Sequence, residues 1–231
     1  MGVVFNGTPG VSSATINTTT VLGGLYSTNN VRGAVSDNWS NLWAFGATSG
    51  ISYTTLGSSA GTALSTTFTN ARDAGIFDGQ LCASSGATGF RSTNLGSGLP
   101  TTSGQTATNL PGISSTTGSP YAFFFADLSS SVPGVDTLYV ADDSATGLQK
   151  FSLVAGTWTA NGSVVVSGNA LRGLTGVVNG SGVTLYGATP TAFVSLTDSS
   201  GYNAALTGTF SSLATSGTNK AFRGIALTPN P

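Results

Sequence analysis

Apolar residues along this chain come in short runs with a period near two, broken by Gly, Ser, Thr and Asn rather than spaced at helical intervals. The stretch ALRGLTGVVNGSGVTLYGAT, residues 170–189, shows the pattern: two apolar runs flank Asn-Gly-Ser-Gly, a tight-turn signal between two strands. TLYVAD, AFVSLTD, NLWAFG and YAFFFA read the same way, because Val, Phe, Tyr and Thr favour a pleated, half-buried surface. Strands joined by tight connections are predicted, and long helices are not.

The strands recur in units. VRGAV (31–35), ARDAGI (71–76), LRGLTGV (171–177) and FRGIAL (222–227) each place an apolar or Ala residue, then Arg, then a small or acidic residue before an apolar strand. PYAFFFA (120–126) fills the gap with Tyr121 at the Arg position. Anchors at 32, 72, 121, 172 and 223 are spaced by 40, 49, 51 and 51 residues, and the two chain ends together supply a further 40. Repeats of roughly 40 to 50 residues rich in strands are those of β-propeller blades. The predicted fold is therefore all-β: a single propeller domain over 1–231, with five four-stranded blades whose units start near 31, 71, 120, 171 and 222. In the fifth, FRGIAL supplies the inner strand and residues 1–30 the other three (GVVFNG, ATINTTTV and GGLYSTN), so that N- and C-terminal strands close a shared blade.

Within the units the same reading puts outer strands at ALSTTFT, GSVVVSG and TGTFSSLA and a degenerate one at TATNLPGI. A β-sandwich does not predict five anchors, and a β-helix has a much shorter period.

Composition sharpens this picture. Hydrophobic residues are 39% of the chain and charged residues only 6%, with a net charge of -1, so the chain folds rather than remaining disordered. Seven Lys and Arg in 231 residues offer no basic footprint for nucleic acid or an anionic membrane. No apolar run approaches the roughly 20 residues that span a bilayer, so neither nucleic acid nor membrane insertion is expected. No leader pattern opens the chain, so a secreted protein is expected here in its mature form, without its signal. Cys82 is the sole cysteine and reads as a small buried hydrophobe.

TLYVADDSATGLQKFSL resembles the second and third strands of NHL-type blades. NLPGISSTTGSPYAFFFADL, GVDTLYVADD, LQKFSLVAGTWTANGSV and LRGLTGVV resemble a poorly characterised group of secreted bacterial propeller domains in surface proteins, some of which carry a PEP-CTERM sorting segment. The resemblance covers most of residues 31–228 and implies a propeller fold and a secreted or cell-surface location; it assigns no residue a role.

Chemistry is constrained by what is missing. The chain has no His, which removes Ser-His-Asp and Cys-His catalysis, and its acids are all Asp: Asp37, Asp73, Asp78, Asp127, Asp136, Asp142, Asp143 and Asp198. Glycoside hydrolysis needs two carboxylates about 5 to 10 Å apart, and Asp73 and Asp127, on or near inner strands, are the pair to consider. Asp37, Asp78, Asp142 and Asp198 sit at strand ends or turns, where Asp caps backbone N–H groups. Adjacent Asp142 and Asp143 have the chemistry to help hold calcium, but lack the spaced loop; no cofactor and no metal is expected.

Arg32, Arg72, Arg172 and Arg223, with Tyr121 in the fifth position, repeat at the start of inner strands and form the candidate ligand-binding ring around a channel. One reading is a cationic mouth for an anionic group; the preferred one is that each Arg donates to carbonyls of the next blade, because a feature repeated in nearly every unit belongs to the fold. Trp43 and Tyr139 read as core. Trp39, in the polar turn SDNWSN, either stacks on a sugar face or packs over a blade edge, the second being preferred. Sequons fall at Asn6, Asn17, Asn38, Asn161 and Asn179.

The expected function is a non-catalytic extracellular binding or structural module, with a glycan or another cell-surface component as ligand. The alternatives that stay open are an Asp-based glycan-active enzyme and an engineered or trimmed propeller scaffold or self-assembling propeller, the last of which would form an oligomer.

Overall fold

A computed structural model describes residues 4–6, 15–17, 19–27, 29–143, 147–166 and 170–227. The fold is all-β in a propeller arrangement of four blades, each an antiparallel four-stranded sheet running in sequence order. A short hairpin precedes them, β1 (Val4–Asn6) with β2 (Thr15–Asn17), then one helical turn, α1 (Gly23–Tyr26). The first blade holds β3 (Val31–Ser36), β4 (Asn41–Gly46), β5 (Ile51–Thr55) and β6 (Thr62–Ala63); the second holds β7 (Ala71–Phe77), β8 (Gln80–Ser85), β9 (Ser92–Leu95) and β10 (Ala107–Asn109). The third holds β11 (Pro120–Ala126), β12 (Thr137–Asp142), β13 (Gly147–Val154) and β14 (Thr157–Val164); the fourth holds β15 (Gly173–Asn179), β16 (Gly182–Ala188), β17 (Ala192–Asp198) and β18 (Ser211–Thr215).

The blade count is four, not the five that the anchors predict. FRGIAL, over residues 222–227, joins no strand and is largely exposed, and GGLYSTN contributes α1 instead of a third strand. Of the expected composite blade only the two-stranded hairpin β1–β2 forms among the described residues; 1–3, 7–14, 18, 28 and 228–231 lie outside them. Repetition of the Arg anchor specifies a local pattern, while a strand needs a ladder with a neighbouring edge; residues 222–227 form none, and the Phe222 N–H donates to the Pro190 carbonyl while Gly224 lies against Gly173 of β15.

The chain forms two compact units, Met1–Thr108 with Leu227–Pro231, and Asn109–Ala226. In the first, the inner strands β3 and β7 of two blades pack together; in the second, β11 and β15 do. The first core gathers Trp43, Ile51, Leu64, Phe68, Leu81 and Leu95, and the second gathers Tyr139, Leu148, Leu171, Val183, Leu185 and Leu196. The second strands β4, β8 and β12 are buried along almost their whole length, whereas β18 is exposed throughout. This gradient explains why TLYVAD reads as a continuous apolar run: such a strand is covered on both faces. In the second unit a Cβ on Gly176 of β15 would run into the Phe124 ring of β11, so glycine lets the two inner strands approach.

Hairpin turns follow local chemistry. Asp78 (φ 47°) and Gly79 (φ 70°) link β7 to β8, and Ala155 (φ 49°) and Gly156 (φ 79°) link β13 to β14, both with the two positive φ angles of a type I′ turn. The second turn corrects the sequence reading, which began the outer strand near Gly162. Asn161-Gly162 carries the stronger turn signal, yet register with β13 places it inside β14.

Candidate functional site

The turn between β3 and β4 presents Trp39. Asn38 Oδ1 accepts the backbone N–H groups of Ser40 and Asn41, both at 2.9 Å, and Ser36 Oγ accepts that of Trp39 at 2.8 Å. Asn41 is held in turn by Tyr53, whose hydroxyl donates to Asn41 Oδ1 at 2.7 Å. These bonds fix Trp39 at φ 69°, a left-handed conformation that a bulky residue rarely adopts. Its side chain does not pack over a blade edge, as the sequence led us to prefer: Trp39 is 55% exposed, against 1% for Trp43 and 6% for Trp158. An exposed indole on a braced turn is the arrangement that can stack on a flat apolar face and offer its N–H to a polar rim.

The anchor residues serve several local roles. In the first unit Arg32 Nη1 donates to Asn70 Oδ1 at 2.9 Å and to the carbonyl of Ala71 at 2.6 Å, reaching the first residue of the neighbouring blade. Arg72 is half-buried, and its guanidinium lies where a Cβ on Gly86 would be, just past the end of β8. In the second unit Arg172 enters the fourth blade, yet pairs with Asp143 of the third at 3.2 Å and lies 5.1 Å from the centre of the Tyr121 ring. Tyr121 thus supports an Arg rather than replacing one. Arg223 departs from the pattern: it is exposed and starts no strand, and the Phe222 ring before it stacks on Phe193 at 3.8 Å.

The acids are mostly spent on backbone. Asp136 takes N–H bonds from Leu128 and Ser129 together with the Thr137 hydroxyl, and Asp142 takes the Ser119 N–H. Asp73 accepts the N–H of Ala74, while Asp127 is exposed just after β11; the first belongs to the first unit and the second to the second. Asp143 faces Arg172, so the adjacent pair Asp142 and Asp143 is drawn to different partners. No three His, Cys, Asp or Glu side chains gather as a metal site among the described residues. Of the sequons, Asn38 and Asn179 are exposed and Asn161 is half-buried; the side chains of Asn6 and Asn17 lie outside the described residues.

The second unit also holds a cluster that sequence reasoning missed. Lys150 Nζ lies 2.8 Å from Asp198 Oδ2, with both side chains fully buried. Tyr139 donates its hydroxyl to the same oxygen at 2.8 Å, and Oδ1 accepts from the backbone and hydroxyl groups of both Ser200 and Thr207. Lys150 gives further hydrogen bonds to Ser200 Oγ and the Gly201 carbonyl, each at 2.7 Å. Burial alone would raise the Asp198 carboxyl; donors from Lys150, Ser200 and Tyr139 outweigh it and bring the pKa down to about 2. Burial first, then the bond to Asp198, pushes the Tyr139 phenol well above its ordinary value. Because the cluster is closed to solvent and joins the third blade to the fourth, it acts as a polar lock between sheets. The signal was present: Lys150 alternates with Leu148 and Ser152 on the inward face of β13, in a chain with almost no charge to spare.

No protein-family model, no curated protein and no solved structure matches this chain.

Proposed function

We propose that this chain is a non-catalytic binding module of the cell exterior that holds a glycan by stacking a sugar ring on Trp39. The observation that carries the reading is the exposure of this one indole, 55%, on a turn that fixes it in a left-handed conformation. Backbone held in a sparsely populated region costs on the order of 1–3 kcal/mol and concentrates at functional positions. A net charge of -1 favours a neutral ligand over a strongly ionic one, and the likeness of the blades to secreted surface domains supports an external location.

Titration with neutral oligosaccharides, read by tryptophan fluorescence, tests it, since Trp43 and Trp158 are buried and Trp39 dominates any ligand-induced change. Saturable quenching is expected, with Trp39→Ala weakening binding by about tenfold or more, as for an aromatic anchor. A glycan panel that gives no binding overturns the reading. Glycan turnover abolished by Asp73→Asn or Asp127→Asn replaces it with an enzyme.

A further inference from the structure

The tripeptide Asn-Gly-Ser stands at two places in the chain, Asn161-Gly162-Ser163 and Asn179-Gly180-Ser181. An asparagine before glycine is open to attack by its own backbone, because no Cβ on the next residue hinders that residue's nitrogen from reaching the side-chain amide carbon. Identical tripeptides react alike in an unfolded chain, so a difference between them belongs to the fold.

The fold treats the two copies differently. Asn179 ends β15, and residues 177–181 are all exposed. It pairs with Gly182, which leaves Gly180 (φ 63°) and Ser181 as a two-residue turn. Among the described residues the Gly180 N–H makes no hydrogen bond, and there is open space where a side chain would be. The Asn179 amide nitrogen reaches the Val177 carbonyl at 3.4 Å and the Thr184 hydroxyl at 3.1 Å, long bonds at the surface where water competes. Asn161 instead lies inside β14, where it and Gly162 form the bulge opposite Lys150. Its carbonyl is tied to the Leu206 N–H, and its side-chain Oδ1 is buried with no donor in reach. Attack on the amide carbon drives negative charge onto Oδ1. Water meets that charge on an exposed residue; at Asn161 nothing does.

We propose that Asn179 is a self-modification site, converting to aspartate and isoaspartate in the folded protein while Asn161 is spared. The Gly180 nitrogen loses its proton to hydroxide and bonds to Asn179 Cγ; the Cγ–Nδ2 bond breaks, and Nδ2 leaves as ammonia with a proton from water. Water then opens the cyclic imide. Opening at one carbonyl gives aspartate, and at the other isoaspartate, whose main chain runs through Cβ and is one atom longer. Either product adds a negative charge to a chain of net charge -1. The longer backbone no longer fits a two-residue turn, so the modification loosens the hairpin of β15, the strand that packs on β11.

Incubation of the native chain at mildly alkaline pH, followed by trypsin and mass spectrometry, tests the assignment. Cleavage after Lys150, Arg172 and Lys220 places Asn161 in peptide 151–172 and Asn179 in peptide 173–220, and fragmentation identifies the residue. An intact mass equal to that of the sequence first checks that the Asn179 nitrogen carries no substituent. A gain of one mass unit should appear at Asn179 about tenfold or more faster than at Asn161, the protection expected of a site that must open locally before it reacts. In urea the two rates should converge, and Asn179→Gln should remove the native gain from peptide 173–220. A smaller native ratio overturns the proposal, as does a difference that persists in urea or a folded chain in which neither residue reacts.

Discussion

Removing the charge of Asp198 asks whether the lock between the third and fourth blades is a true ion pair. Asp198→Asn keeps the shape but leaves Lys150 fully buried with only the neutral oxygens of Ser200 and Gly201 as acceptors. An uncompensated buried charge of this kind costs about 3–5 kcal/mol, a large share of the roughly 5–15 kcal/mol that holds a domain together. Lys150→Met should cost less, because Asp198 retains donors from Tyr139, Ser200 and Thr207. The double variant should cost about 1–3 kcal/mol less than the two singles added together. Urea unfolding followed by circular dichroism reads these differences: with a slope of about 2 kcal/mol/M, Asp198→Asn should lower the midpoint by about 1.5–2.5 M. Acid provides a second reading. The folded carboxyl lies at about 2 against an ordinary 3.8, so its contribution is present above pH 4 and is lost as pH falls toward 2, amounting to ~2 kcal/mol. Wild type should therefore lose stability more steeply than Asp198→Asn over that window. A loss below about 1 kcal/mol in Asp198→Asn, or a larger loss in Lys150→Met, refutes the reasoning.

Two further predictions concern the first unit. Gly50 has φ 55°, and a Cβ there would run into the Phe68 carbonyl; the Gly50 carbonyl also accepts the Gly46 N–H and the Tyr26 hydroxyl. Gly50→Ala should cost about 3 kcal/mol or more in thermal or urea unfolding, and a loss under about 1 kcal/mol would show that the turn relaxes freely. Cys82 is buried, and burial pushes its thiol up to about 12. A disulfide reagent at mildly alkaline pH should label it only as the chain unfolds, so native labelling at the rate of the urea-unfolded control would contradict the placement.

Much of the architecture was legible because it depends on local pattern. Period-two alternation, the Arg anchors and turn dipeptides located the inner strands of all four blades and the second strands of the first, third and fourth, and Asp78-Gly79 behaved as its chemistry requires. The outer strand of the third blade, read as beginning near Gly162, shows the limit of that reading: β13 and β14 choose their register by the pairs they bury, and Ala155-Gly156 is the turn this register leaves. The fifth blade failed for a similar reason. FRGIAL carries the same local signal as VRGAV and LRGLTGV, but a strand exists only where another strand's edge lies alongside it.

The site divides along the same line. Sequence singled out Trp39 and the anchors Arg32, Arg72, Tyr121, Arg172 and Arg223, because an indole among polar turn residues and a recurring cation are visible in one dimension. Whether that indole is exposed, and which carbonyl, carboxylate or ring each cation meets, follows from the packing of neighbouring blades. Lys150, Tyr139 and Asp198 lie on different strands and become one network only when the third and fourth blades close over them, which excludes water and makes each group's partner obligatory. The chain by itself determined strands, turns and a nearly uncharged all-β composition, since these rest on interactions between residues close in sequence. Tertiary structure alone decided the number of blades and the ion pair buried between the third and the fourth, because each depends on which surfaces distant segments cover.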